Sequence, residues 1–228
     1  MADQYELHYW PIPFRGHLVR YVLAYVGVSW TEPDFVGMTA FKDLPVAEKP
    51  YPFFAPPVLH DLDADTWVSQ MPAIMMYLGR KHELLSDSDQ TLRLVCDSSD
   101  VLFEITRGHG AQMWDREAWE AFLPRLGMWM QLHERLAVDS GVAAEQGFMF
   151  GADQPMLADL TLAALWHNMV DRLPTLRAHL RANAPTVEGL VDRVAHVPEI
   201  TALRAQWADC GWRYCAGQIE HSLLEMLE

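Results

Sequence analysis

Cysteine is scarce in this chain: its 228 residues hold three, Cys96, Cys210 and Cys215. So sparse and odd a set excludes the disulfide framework of a small secreted domain and fits a reducing compartment. The Cys210-x4-Cys215 pair has neither metal spacing nor a second ligand pair, so no metal site is expected. Basic residues are few as well, 17 against 31 acidic, for a formal net charge of -14. Phosphate backbones and anionic lipid heads repel such a surface, which argues against nucleic acid and membrane as partners. Long apolar runs are missing: none approaches the roughly 20 residues of a bilayer span, and MADQYELHYW lacks the basic start and apolar stretch of a secretion signal. The expectation is a soluble, cytoplasmic protein.

Apolar material is plentiful, at 50% of the chain, enough to build cores without covalent staples. Tyr5 to Trp10 reads as a short strand, and Pro11 and Pro13 then forbid both a continued ladder and a helix interior. From Gly16 to Val26 the apolar spacing is that of a helix buried over much of its circumference, ended by Gly27. Val28 to Thr31 is a second strand, which completes a right-handed βαβ unit with parallel strands. Residues 37–55 carry no clear period and read as irregular. Pro57 to His60 and Thr66 to Val68 flank an acidic turn and predict a hairpin, and Pro72 opens a third-helix pattern that reaches Leu78.

The first domain therefore reads βαβ, loop, ββα over residues 1–82, with a polar linker at 83–91. Beyond it, residues 92–228 are helical in pattern: Leu92 to Thr106, Glu117 to Leu136, Leu157 to Leu173, Val187 to Ala195 and Ile200 to Trp207. Leu157 to Val170 is apolar nearly all round and belongs in the middle of a bundle. Asp159, in the first turn of that helix, is expected to serve folding by satisfying free N–H groups, although its capping-box partner is Met156 rather than Ser or Thr.

Four segments resemble the cytosolic glutathione transferases. YELHYWPIPFRGHLVRYVLAY (Tyr5 to Tyr25) falls without a gap on that family's first strand and helix, and PFFAPPVL (Pro52 to Leu59) is similar to its PFGxxPxL. SQMPAIMMYL (Ser69 to Leu78) is similar to its Q-S-x-A-I-x-x-Y-L, and FGADQPMLADLTLA (Phe150 to Ala163) resembles the stretch that opens its buried helix. The Tyr9-Trp10-x-Ile12 run looks most like the tyrosine-type, sigma-like and mu-like members. The resemblance implies a thioredoxin-like α/β domain followed by an all-α bundle, glutathione as co-substrate, a homodimer and a small hydrophobic electrophile as partner.

Carried over residue by residue, the resemblance makes Tyr9 the catalytic tyrosine, although by position alone it is one of seven tyrosines closing a strand end. A hydroxyl aimed at the glutathione sulfur stabilises the thiolate through a charge-assisted hydrogen bond. For glutathione itself the resemblance implies Trp10, Pro56 before a cis Pro57, Gln70 and Met71 at the third helix, and Lys42 or Lys49 for the glycyl carboxylate. Phe41 stands where the family often has tryptophan, and Asp100 falls near an aspartate that reaches the partner subunit's ligand. Ile12, Phe14, Arg107, His109, Met113 and Trp114, with Trp10, would line the electrophile pocket. Each of these has a plainer reading as core or solvated surface.

Two positions depart from the family. Pro56 has a carbonyl but no N–H for the extended peptide beside it, and Met71 replaces the serine hydroxyl. The two losses together cost about 2 to 4 kcal/mol, roughly a 30-fold to 1,000-fold drop in affinity. An alternative function follows from them: a transferase-like protein that binds another ligand, or a dimeric interaction module.

Overall fold

In Tyr5–His8 (β1) side chains alternate between two faces, with Tyr5 and Leu7 buried and Glu6 and His8 on the other side. The computed structural model, which describes residues 4–228, puts β1 at the centre of a four-stranded sheet ordered β2-β1-β3-β4. Trp30–Thr31 (β2) runs parallel to β1. Val58–Asp61 (β3) runs antiparallel to β1, and Thr66–Ser69 (β4) completes the hairpin. The helices Arg15–Tyr25 (α1) and Met71–Lys81 (α3) pack against each other, each burying an apolar face that includes Leu18, Val22, Ile74 and Leu78.

The other face of the sheet corrects one expectation. Overlapping 37–55, expected to be irregular, is a helix, Phe35–Asp43 (α2), followed by a short 3-10 turn at Val46–Glu48. Of its residues only Met38 is buried, which is why no apolar period shows. Two other devices hold it. The Asp34 carboxylate accepts the Gly37 N–H at 2.7 Å as an N-cap, and a stack of rings ties the helix to the strands. His60 stacks on Trp67 at 4.0 Å, His8 on Phe41 at 4.1 Å, and Phe41 on Phe53 at 4.9 Å.

The second half is helical throughout: Ser88–Ile105 (α4), the single turn Arg107–Gly110 (α5), Arg116–Asp139 (α6), Leu157–Leu162 (α7), Asn168–Arg172 (α8), Arg177–Asn183 (α9), Pro185–Ala195 (α10), Pro198–Gln206 (α11) and Gly217–Leu227 (α12). α4 begins inside the stretch read as linker, because the Asp87 carboxylate accepts the Gln90 N–H and starts the helix a turn before Leu92. α9 and α12 were not expected. α9 buries only Leu180, too little for a period to show. No helix among the described residues is long and apolar enough to cross a membrane.

α7 runs through a π turn, Ala163–His167, into α8, and almost every residue of that central segment is buried. Asp159 anchors its start. Its carboxylate accepts the N–H of Met149 at 2.8 Å and of Met156 at 2.9 Å, and burial pushes its carboxyl up to about 6. The Met156 thioether takes the other half of the capping box, so the box expected to be half missing is closed by a weak sulfur acceptor. Asp159→Ala leaves both N–H groups buried without partners, and urea unfolding is expected to show a loss of about 1 to 3 kcal/mol per orphaned group.

Candidate active site

Pro11 and Pro13 end β1 and leave residues 9–14 as a loop that needs its carbonyls satisfied from elsewhere. Arg20, fully buried on α1, does this. Its Nη1 donates to the Ile12 carbonyl at 2.8 Å and its Nη2 to the Trp10 carbonyl at 3.1 Å. The same guanidinium forms a fork with Glu32, through Nε at 2.8 Å and Nη2 at 2.5 Å, and lies 4.2 Å from the centre of the Trp207 ring. One cation therefore fixes the loop after β1, the end of β2 and the end of α11.

Tyr9 emerges from this loop, buried, with its ring against the first turn of α1. A Cβ on Gly16 would stand 2.4 Å from Tyr9 Cδ1, so only glycine allows that approach. Burial holds the Tyr9 phenol well above its ordinary value, while the charges of Arg15 and Arg20 and the Arg15 backbone N–H pull the other way. The hydroxyl keeps its proton at neutral pH and is a donor.

Tyr9 opens onto a cavity of about 430 Å³ whose lining is mostly apolar: Trp10, Ile12, Phe14, Phe35, Pro56 and Ile219. Arg15, Thr106, His109 and Cys215 are its polar members besides Tyr9. Arg15 donates to Ser99 on α4 through Oγ at 2.7 Å and through the carbonyl at 3.0 Å, which ties the mouth of α1 to the helical half. Burial raises the Cys215 thiol to about 12, so it is not a competing nucleophile. Burial and the Arg15 charge lower the His109 imidazole, which is neutral at pH 7.

His109 reaches the cavity from an unusual backbone. All four residues of α5 are left-handed, with φ of 45° at Arg107, 72° at Gly108, 58° at His109 and 81° at Gly110. Such a turn costs about 1 to 2 kcal/mol for each side chain with a Cβ. Glycine at every second position halves that cost, and the Gly110 N–H closes the turn on the Thr106 carbonyl at 2.7 Å.

Of the residues expected in the electrophile pocket, Trp10, Ile12, Phe14 and His109 line this cavity and three do not. Arg107 turns away, donating to the Met113 carbonyl at 2.5 Å and to Gln112, and lies over the Trp114 ring. Trp114 is packed between Trp119 and Phe122, and Met113 edges a separate shallow groove beside α12. They are correctly spaced in sequence but sit past the left-handed turn, which redirects the chain.

The residues expected around glutathione are placed as follows. The Pro56–Pro57 bond is cis, and Pro56 lines the cavity. Gln70 is exposed, with φ 73° and no capping bond of its own, a strained position for a residue with a Cβ. Met71 is buried, so its side chain belongs to the core. Lys42 pairs with Asp43 at 2.9 Å, and Lys49 donates to the Lys42 carbonyl at 2.5 Å while lying 3.9 Å from the centre of Phe53. Asp100 is exposed on α4, next to Ser99. Among the described residues no group of three or more His, Cys, Asp or Glu side chains could hold a metal ion.

Arg15, Phe35, Ala55, Thr106, Cys215, Ala216 and Ile219 also line the cavity without having been singled out. Arg15 carried a signal: a cation in the opening turn of a helix opposes the helix dipole and calls for another purpose. For the C-terminal members there was none. Breaking the buried fork at its centre is the sharpest check of this arrangement. Arg20→Gln is expected to lower stability by about 3 to 5 kcal/mol in urea unfolding, and Gly16→Ala to cost about 1 to 3 kcal/mol by forcing Tyr9 aside.

Comparison with known proteins bears on this geometry. Residues 90–226 match the family model for the glutathione S-transferase C-terminal domain. A curated glutathione S-transferase of Plasmodium falciparum (isolate 3D7) is 30% identical over 92 residues, which is 39% of this chain and 43% of that protein, so the match spans less than half of the relative's length. The solved structure of NaGST-2 superposes with a TM-score of 0.68 at 18% identity, covering 91% of this chain and 97% of the other. That of prostaglandin synthase D of Nilaparvata lugens gives 0.63 at 17%, covering 90% and 98%. Identities this low speak for a shared fold, here a thioredoxin-like domain followed by a helical one. With the C-terminal family model covering more than half of its residues, the chain belongs to the glutathione S-transferase superfamily.

Proposed function

We propose that the protein is a glutathione-dependent transferase or isomerase of the tyrosine type, sigma-like or mu-like, acting as a homodimer on hydrophobic electrophiles. The observation that carries the reading is a protonated, buried Tyr9 facing a mostly apolar cavity beside Arg15 and the cis Pro56–Pro57 bond. A thiol bound there meets a hydroxyl donor and a guanidinium in a poorly hydrated site, where both favour the thiolate more than they would in water. Transfer and isomerisation begin alike, with that thiolate attacking an electron-poor carbon.

The backbone of glutathione would run beside Pro56, whose carbonyl accepts one bond. Its γ-glutamyl carboxylate would sit by Gln70 and the N–H groups that open α3, among them that of Met71. Trp10 and Lys42 or Lys49 would serve the glycyl end, and Asp100 the partner subunit's ligand. The electrophile would occupy the space among Trp10, Ile12, Phe14 and His109. A second reading, a transferase-like protein for another ligand, is favoured by the N–H that Pro56 lacks and by the hydroxyl that Met71 does not supply.

Calorimetry with glutathione separates the two. Binding by the wild type at millimolar concentration or below, with Pro56→Val plus Met71→Ser binding roughly 30-fold to 1,000-fold tighter, is the expected result. No binding by the wild type, with binding gained in the double variant, would favour the second reading. In Tyr9→Phe the bound thiol loses one charge-assisted bond, so its pKa, read from thiolate absorbance, is expected to rise by about one to two units, with glutathione affinity little changed.

A further inference from the structure

The cavity beside Tyr9 has a neighbour that shares one of its lining residues. Phe35, at the start of α2, lines it on one side and on the other lines a second, shallower space of about 660 Å³. Pro11, Trp207, Cys210, Gly211 and Trp212 form the rest of that space apart from Gln206 and Asp209. It lies between the loop after β1 and the connection from α11 to α12. The Cys210 thiol, directed at the Pro11 carbonyl 3.7 Å away, joins these two walls. Phe35 is left 48% exposed although it is among the largest apolar side chains of the domain. An aromatic ring standing in water between a candidate reaction cavity and an indole-lined groove has no role in the core, and a continuous apolar ligand would cover it.

We propose that the preferred electrophile has a long, neutral, apolar tail: its reactive carbon stands by Tyr9 while the tail passes Phe35 into the groove walled by Trp207 and Trp212. This rests on the glutathione-dependent reading above and adds the class of substrate. A neutral tail is specified because the groove offers no cation, and Asp209 on its edge opposes a terminal carboxylate. Each methylene that leaves water for such a groove adds to binding in the transition state, so selectivity should be written in chain length.

Straight-chain 2-alkenals are suitable probes. The glutathione thiolate forms a C–S bond to the β-carbon, the π electrons pass through the carbonyl to its oxygen as an enolate, and the α-carbon takes up the proton that the thiol released. Nothing is oxidised or reduced. In the wild-type protein kcat/KM is expected to rise with chain length by up to about fourfold per methylene, the equivalent of about 0.8 kcal/mol, until the groove is filled.

Two variants outside the Tyr9 cavity act on the groove in opposite ways. Gly211 lines the groove and a Cβ there meets nothing within 4 Å, so Gly211→Trp is the variant chosen to fill the groove with an indole. It should leave glutathione affinity and turnover of the shortest alkenal unchanged while abolishing the gain with length. Trp212→Ala removes a wall and should lower the slope. S-alkyl glutathiones, as product analogues, should show the same increments in inhibition constant without turnover. A flat chain-length series in the wild type, or an undiminished slope in Gly211→Trp, would overturn the inference while leaving short-chain activity, and so the parent reading, intact. Failure of the wild type to bind glutathione or turn over any alkenal would overturn both.

Discussion

A buried guanidinium organises this molecule. Arg20 sits on a helix with no access to water, a position too costly for a cation unless every donor is used. It is used on three fronts: the Glu32 carboxylate, the carbonyls of Trp10 and Ile12, and the face of Trp207. The loop it holds contains two prolines and cannot pair in a ladder, so without Arg20 the buried Ile12 carbonyl would lose its partner and the Trp10 carbonyl would keep only the Ile12 N–H. The position of Tyr9, the first residue of that loop, follows from this anchoring and from the absence of a side chain at Gly16.

The cavity is a product of both halves of the chain. Tyr9, Trp10 and Pro56 come from the sheet domain, Thr106 and His109 from the end of α4 and the left-handed turn, and Cys215 and Ile219 from the last segment. Particular bonds keep these pieces in register. Arg15 grips Ser99, and the Asn168 amide donates to the Pro13 carbonyl at 3.0 Å. The Glu220 carboxylate gathers the N–H groups of Arg213, Tyr214 and Cys215 at 3.2, 2.7 and 2.9 Å. That last clasp shapes the C-terminal wall from a single carboxylate on α12.

Burial also sorts the chemistry of the site. It keeps Tyr9 and Cys215 protonated and His109 neutral, and leaves Arg15 as the one permanent charge among the cavity's lining residues. The protein's own thiol is thereby kept from acting as a nucleophile. The selectivity comes from where each group stands relative to the cation and to water.

Much of the fold was legible because local rules agreed with it. Alternation in Tyr5–His8, the prolines after it, the apolar run that forms α1 and the all-round apolar α7 each have one physical solution. Tyr9 and the cis bond at Pro56–Pro57 could be singled out by resemblance to known segments. α2 stayed hidden because rings stacked across the sheet hold it, and α9 because it buries almost nothing. Arg107, Met113 and Trp114 were misplaced because four successive left-handed residues reverse the chain between α4 and α6, a path no periodicity encodes. What the sequence determined by itself was the strands, the helices with a clear apolar period and the proline-bounded loop after β1, since these depend on neighbours within a few residues. Which side chains share the cavity, and that Phe35 also borders a groove lined by Trp207 and Trp212, was decided only by tertiary structure, because those contacts bring together residues far apart in the chain whose spacing carries no common signal.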